Sequence, residues 1–300
     1  VQVDDVVVSK EGTCLVPCAR IVAVLRELQD PEFVFKVDAA GQACVSAGTS
    51  HFKLPTGPVE EFPAVEFSPP GPSIRISRKE LLQTLRRVSV AAARDATRFN
   101  MHSVLFDGQG EELRIVSTDG KRMALSTVSV VAGGKGGLPE GQFILPLKGV
   151  DLLSKILSNE TEDDVVLHLD QNEVTYISER VSLACRLVEG KFPEYERAVP
   201  KKFECVFVIN TDDLLVSLRQ AALMTTRETN SVRFSFGSNK ATISSSASNI
   251  GESRIVFPVE KTHGEEEEFV VHFNPGYLIE LLKVIGTQQV QCGFTDGKTA

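Results

Sequence analysis

CLVPCARIVAVLREL (residues 14–28), FILPLKGVDLLSKIL (143–157) and VHFNPGYLIELLKVI (271–285) are three versions of one design: an apolar approach, a proline or asparagine, then an amphipathic run of helix length. Superposing Pro17, Pro146 and Asn274 gives steps of 129 and 128 residues. A second pair, ISRKELLQTLRRVSVAA (76–92) and INTDDLLVSLRQAALMT (209–225), lies 133 apart, and Phe62-Pro63 returns at Phe192-Pro193, 130 apart. A period this long exceeds any solenoid repeat and has the size of a whole domain. Function is therefore expected in what several copies build together.

Around these anchors each copy reads as two helices separated by alternating strands, an α+β fold. Leu81, Leu85, Val88 and Ala92 stand at i, i+4, i+7 and i+11 and predict a helix with one apolar stripe. Lys79, Gln83 and Arg86 share another face, flanked by Arg87 and Arg94. HSVLFDG, ELRIVSTDG and RMALSTVSVV follow as strands whose Asp-Gly pairs mark tight turns. Proline then opens the second helix, being tolerated in a first helical turn. The expected organisation is a partial first copy at 1–70 (second half only), a complete second copy at 71–202, and a third copy at 203–300 without its last strands. By the same period roughly 58 residues are expected to be missing in front and about 30 behind.

The 300 residues, 42% apolar, can bury real cores. No run approaches the roughly 18 apolar residues of a membrane span, and the N-terminus has no signal-peptide pattern. Six cysteines without a CxxC pair read as buried, reduced thiols and point to a cytoplasmic protein. AGGKGG (132–137) lacks the Ser or Thr that a phosphate-binding loop places after Gly-Lys, and reads as a surface loop. The five histidines show no metal-ligand spacing; His168 and His272 fall inside strand patterns and read as satisfied structural residues. Glu265 to Glu268 read as a solvated run or a patch for a basic partner. No serine sits in a nucleophile elbow. Neither catalytic residues nor metal ligands nor a cofactor is expected.

Charge is unevenly placed. The chain carries −8, yet the candidate helix segments 17–28, 73–94, 148–157, 211–230 and 274–285 are together net positive. Arg86 and Arg219 are equivalent in the first helices; Arg26, Lys155 and Lys283 are equivalent in the second. Such a recurring positive face suits phosphate backbones without reading bases, and its binding should weaken with salt.

EELRIVSTDGKRMALS (111–126), RLVEGKFPEYERAVPKK (186–202) and FNPGY (273–277) resemble the bacterial DNA polymerase III beta subunit family, the replicative sliding clamps, over essentially the whole chain. The resemblance implies the DNA-clamp fold: three similar α+β domains per subunit, and two subunits head to tail in a homodimeric ring with helices lining the hole. It implies sequence-independent contact with duplex DNA, carried here by Arg86, Arg87, Arg94, Lys148, Lys155, Arg219 and Lys283. It also implies a partner-peptide cleft between the second and third domains, whose wall maps to Met101, Thr118, Gly120, Lys121, Arg122, Met123, Pro193, Arg197, Ala198, Asn274 and Tyr277. The replicative polymerase, the clamp loader, the 3′–5′ exonuclease complex and other proteins with a clamp-binding motif would use it. Phe52 and Leu54 would meet Leu223 and Met224 of another subunit. The chain departs from the family at Leu147, where a basic residue is common, and at Ala198, smaller than the usual branched residue. The expected function is a non-enzymatic processivity factor in the nucleoid-associated cytoplasm, with a repeat-built protein scaffold that never encircles DNA as the alternative.

Overall fold

Among the described helices, proline or asparagine stands at the start of four, at Pro17, Pro146, Asn210 and Asn274, and Ser77 at the start of the fifth. Asn210 takes the backbone N–H groups of Asp212 and Asp213 at 3.0 and 3.1 Å, and both aspartates sit in the first turn, where the helix dipole favours negative charge. Asn274 accepts from the Gly276 N–H at 2.9 Å ahead of Pro275, and Gly286, at φ 71°, ends that helix in the left-handed conformation. The computed structural model describes residues 6–62, 72–95, 100–133, 140–226, 230–265 and 268–295. Its helices are α1 (Cys18–Glu27), α2 (Arg78–Ser89), α3 (Leu147–Asn159), α4 (Thr211–Ala222) and α5 (Pro275–Ile285).

The chain forms two compact units, Val1–Ser68 and Pro69–Ala300. The larger unit contains the repeat. Its first part runs from strand Ser73–Ser77 through α2 and strands Ser103–Gln109, Glu112–Thr118, Met123–Ser129, Val131–Ala132 and Gly141–Pro146 to α3. Strands Asp164–Leu169, Glu173–Ile177 and Ser182–Arg186 complete it. Its second part repeats that order: Cys205–Asn210, α4, Val232–Phe236, Lys240–Ala247, Gly251–Pro258, Glu260–His263, Phe269–Phe273, α5 and Gln289–Phe294. Each part builds one four-stranded antiparallel sheet from its middle strands. Each builds a second sheet by returning its post-helix strand to its opening strand, with Val165 opposite Ile76 and Val290 opposite Ile209.

Both cores use the stripe expected from the spacing. Leu81, Leu85 and Val88 are buried against Val104, Phe106, Leu153 and Leu157; Leu214, Leu218 and Ala221 are buried against Phe207, Phe234 and Ile243. Each stripe ends in the same lock. The buried hydroxyl of Ser117 donates to the Val88 carbonyl at 2.5 Å, and that of Ser245 to the equivalent Ala221 carbonyl at 2.8 Å. Each serine thereby adds a further donor to a last-turn carbonyl that otherwise takes a tightened i+3 bond, from Ala91 N–H to Val88 at 3.1 Å and from Met224 N–H to Ala221 at 3.2 Å.

The smaller unit carries α1 and strands Val34–Val37, Ala43–Ala47 and Ser50–Leu54, the helix-then-three-strands order that follows Pro146 in the larger unit. Its helix buries no residue, and Val22, Leu25, Phe33, Val34, Phe35 and Val37 are exposed. In the larger unit the equivalent helix rests on α2 and the equivalent strand pairs with Ser73–Ser77. Neither has a counterpart among the described residues of the smaller unit.

Several expectations change. The positive segment 73–94 opens as a strand, because Ile74 and Ile76 alternate with Arg75 in a sheet. The segment 211–230 stops being helical at Ala222. None of the six cysteines is in a disulfide, but only Cys44 and Cys205 are buried and Cys18 is exposed. His168 is not satisfied, since its buried Nδ1 has no hydrogen-bond partner among the described residues. Pro63, the boundary near residue 70, Lys135 and Gly136 of the glycine-rich stretch, Glu266, Glu267 and the last Asp-Gly pair lie outside the described residues.

Burial pushes the Cys292 thiol up to about 11. The folded chain therefore keeps a proton that an unfolded thiol, at about 9, releases. The resulting stability is present below pH 9 and is lost as the pH rises toward 11. Thermal unfolding midpoints should fall across that window in the wild type, and more shallowly in Cys292→Ala.

Candidate nucleic-acid interface and partner cleft

The four helices of the larger unit are contiguous: α3 packs on α2, α2 on α5, and α5 on α4. Behind them α2 rests on strands Glu112–Thr118 and Met123–Ser129, and α4 on Lys240–Ala247 and Gly251–Pro258. Burying the apolar stripes on sheets leaves the polar sides outward. Arg86, Lys148, Lys155, Arg219 and Lys283 are all exposed on these helices, and Arg94 is exposed just beyond α2. Arg86 donates from Nη2 to the Ser158 hydroxyl at 3.0 Å, which holds its guanidinium beside α3. Arg86, Arg219 and Lys283 occupy last turns, where the helix dipole itself favours cations.

Arg87 stands apart from this set. It is half-buried, its Nε is buried without a hydrogen-bond partner among the described residues, and a Cβ on Gly286 would lie 3.7 Å from its Nη2. Its guanidinium therefore lies against the C-terminal end of α5, in the joint between the second and third copies, where unpaired helix carbonyls attract a cation. A step of one residue turns a side chain about 100° around a helix, enough to separate two neighbouring arginines.

The other predicted site is built on the turn at Thr118–Met123. Thr118 Oγ1 donates to the Arg122 carbonyl at 2.7 Å and accepts from the Gly120 N–H at 3.0 Å. Asp119 Oδ1 accepts from the N–H groups of Lys121 and Arg122 at 2.9 and 3.0 Å. Gly120 takes φ 84°, a conformation a Cβ would strain. The braced turn aims Arg122 at α5. Its Nε lies 3.1 Å from Asp119, its Nη2 2.8 Å from Glu280, and its Cζ 4.2 Å from the centre of the Tyr277 ring. Two carboxylates and an aromatic face thus hold one guanidinium between the copies.

On the other side of the turn Met123 packs against Leu105, Val116, Ile144, Phe192 and Tyr195. Phe192 is buried and Pro193 half-buried, so the FPEY motif supplies an apolar wall. Tyr195 anchors that wall: its hydroxyl donates to the buried Asp107 carboxylate at 2.5 Å. Burial raises the Tyr195 phenol above its ordinary range and the bond to Asp107 adds to that shift, while Arg114 opposes it. Tyr195→Phe should cost about 1–3 kcal/mol in denaturant unfolding, because among the described residues Asp107 then keeps the Gln109 amide at 3.2 Å as its side-chain donor.

Thr118, Gly120, Lys121, Arg122, Asn274 and Tyr277 are therefore gathered where the turn meets the start of α5, with Met123 and Pro193 on the adjoining apolar wall. Met101 is half-buried, and its carbonyl accepts the Ala93 N–H at 2.9 Å. Arg197 pairs at 2.8 Å with Glu194, both largely exposed, and Ala198 is exposed beside it. No bond among the described residues ties these last two to the turn. Asp119 and Glu280, which fix Arg122, were not foreseen. The first stands inside the quoted TDGKR, whereas nothing local marks the second.

Of the residues expected at a subunit interface, Leu223 is 71% exposed and Met224 half-buried, while Leu54 is 8% exposed. Leu54 is thus already covered within its own unit, which leaves the half-buried Phe52 as the more open of the pair. Among the described residues no group of His, Cys, Asp and Glu is placed to hold a metal, and no helix is long and apolar enough to cross a membrane.

Models of the DNA polymerase III beta subunit match the chain in three successive pieces: the N-terminal domain at residues 1–66, the central domain at 75–194 and the C-terminal domain at 196–300. The chain belongs to the DNA polymerase III beta subunit family. The beta sliding clamp of Chlamydia muridarum is 25% identical over 289 residues, 96% of this chain and 77% of that protein. The beta sliding clamp of Pseudomonas aeruginosa is 26% identical, across 97% of this chain and 78% of its own length. The fold agrees: the crystal structure of the beta subunit from Thermotoga maritima superposes with a TM-score of 0.84 at 26% identity, covering 97% of this chain and 77% of that one.

Proposed function

We propose that this chain is a DNA sliding clamp, a non-catalytic processivity factor that holds the replicative DNA polymerase at its template. The observation that carries this reading is the unbroken row of four helices drawn from two repeated copies, backed by sheets and bearing exposed cations at register-equivalent positions. Such a row meets the phosphate backbone of duplex DNA without reading bases. Its side chains are long, flexible and solvated, so they neutralise charge without fixing a register, which is what sliding requires. Retention then comes from encirclement by a head-to-tail homodimer, with Phe52, Leu223 and Met224 at the joint.

The cleft works by effective concentration. A polymerase, clamp loader or other partner that lays a short apolar motif on Met123, Pro193 and Tyr277 is confined near the primer end, so modest peptide affinity yields long synthesis. The working place is the cytoplasm, at the nucleoid.

Retention on nicked circular DNA, followed by release on linearisation, is the expected result. Neutralising Arg86, Lys155, Arg219 and Lys283 should flatten the salt dependence of DNA binding, by about 0.9 in log–log slope for every phosphate left without its cation. Equal retention on circular and linear DNA would sink the ring reading and leave a protein scaffold.

A further inference from the structure

The sheet of the third copy carries a cationic row that neither the helix face nor the cleft uses. In register across its four strands stand His272, Arg233, Ser244 and Arg254: Arg233 is opposite both His272 and Ser244, and Ser244 is opposite Arg254. Directly opposed residues project from the same face, so these four side chains share one side of the sheet. Arg233, Arg254 and His272 are exposed, and Ser244 is partly so. They line a groove of about 780 Å³ together with Ser231, Ser246 and Glu252. Its floor is firm, because Ser245 bonds the Ala221 carbonyl and the Ser253 hydroxyl, both at 2.8 Å.

No ion pair or side-chain hydrogen bond engages either guanidinium or the imidazole among the described residues. Strands lie about 4.8 Å apart, so the two arginines flank Ser244 at roughly 10 Å between backbones and their forks can close over it. Among the described residues the nearby carboxylates are Glu252 on the rim and Glu268, which is engaged by the Ser235 hydroxyl on the same sheet.

We infer that this groove is an oxyanion site for the dianionic phosphate of a small phosphorylated ligand. Two guanidinium forks, a hydroxyl and an imidazole N–H offer more donors than one carboxylate can accept, whereas a tetrahedral phosphate presents oxygens to all of them. Nucleic acid fits less well: among the described residues no Phe, Tyr or Trp lines the groove, His272 is the one ring there, and Glu252 opposes an extended polyanion.

The test is a titration of the full chain with inorganic phosphate, followed by amide NMR at an ionic strength held constant with chloride. Saturable shifts centred on Arg233, Ser244, Arg254 and His272 are expected. The double variant Arg233→Gln/Arg254→Gln should bind phosphate at least about tenfold more weakly. Glu252→Gln should bind about two- to threefold more tightly, a gain that a merely damaged fold cannot produce. Shifts that never saturate would overturn the assignment, as would chloride reproducing them or a folded double variant with unchanged affinity. Tighter binding of a single-stranded oligonucleotide or a carboxylate-rich peptide than of phosphate would overturn it as well.

Discussion

Arg122→Ala should lower stability by about 2–3 kcal/mol and weaken peptide capture at the cleft at least tenfold. The side chain is 17% exposed and engages Asp119, itself 17% exposed, as well as Glu280 and the Tyr277 ring. Removing it takes the guanidinium from Asp119, which keeps the turn N–H groups of Lys121 and residue 122, and leaves α5 held to the second copy by its packing on α2 without the ion pair to Glu280. Glu280 is 48% exposed and regains water, which keeps the cost below that of a fully buried pair. Arg122→Lys should recover little, because an ammonium cannot serve two carboxylates and stack on a ring with one planar fork. Urea unfolding, together with fluorescence anisotropy of a labelled clamp-binding peptide, reads both effects. Unchanged peptide affinity in a folded Arg122→Ala would remove this turn from the cleft.

Leu85→Ala and Leu218→Ala should each cost about 2–5 kcal/mol, and nearly the same amount. The two residues are equivalent in the repeat, and each is 0% exposed between a helix and its sheet. Truncation removes the transfer energy of the side chain and leaves a cavity that the sheet cannot close. The effects should be local: Leu85 belongs to the core around Phe106 and Leu157, Leu218 to the core around Phe234 and Phe257. Hydrogen exchange should therefore collapse in one copy before the other. A single loss of protection, uniform across both copies in both variants, would show instead that the two cores unfold as one.

The stripe Leu81, Leu85, Val88 was legible because helical periodicity is a local property, and its repetition 133 residues later predicted a second core of the same build. Strand Ser73–Ser77 was harder to see. Its Ile-Arg-Ile alternation is short and runs directly into the arginine-rich helix, and its strand character comes from pairing with Asp164–Leu169, far along the chain. The candidate sites divide in the same way. Thr118, Gly120 and Arg122 sit in one turn whose chemistry is written in consecutive residues, whereas Glu280 reaches Arg122 only because α5 packs against the second copy.

By itself the sequence determined that one build recurs, the alternation of helix and strand within it, and the enrichment of cations on the helices, since periodicity, capping and charge all act over a few residues. Only the tertiary structure decided which cations face water and which serve as joints. Arg86 and Arg87 are identical in local signal, yet one lies on the open helix face and the other against the end of α5. That division depends on which side of a helix meets another copy, and such meetings join residues far apart in the chain.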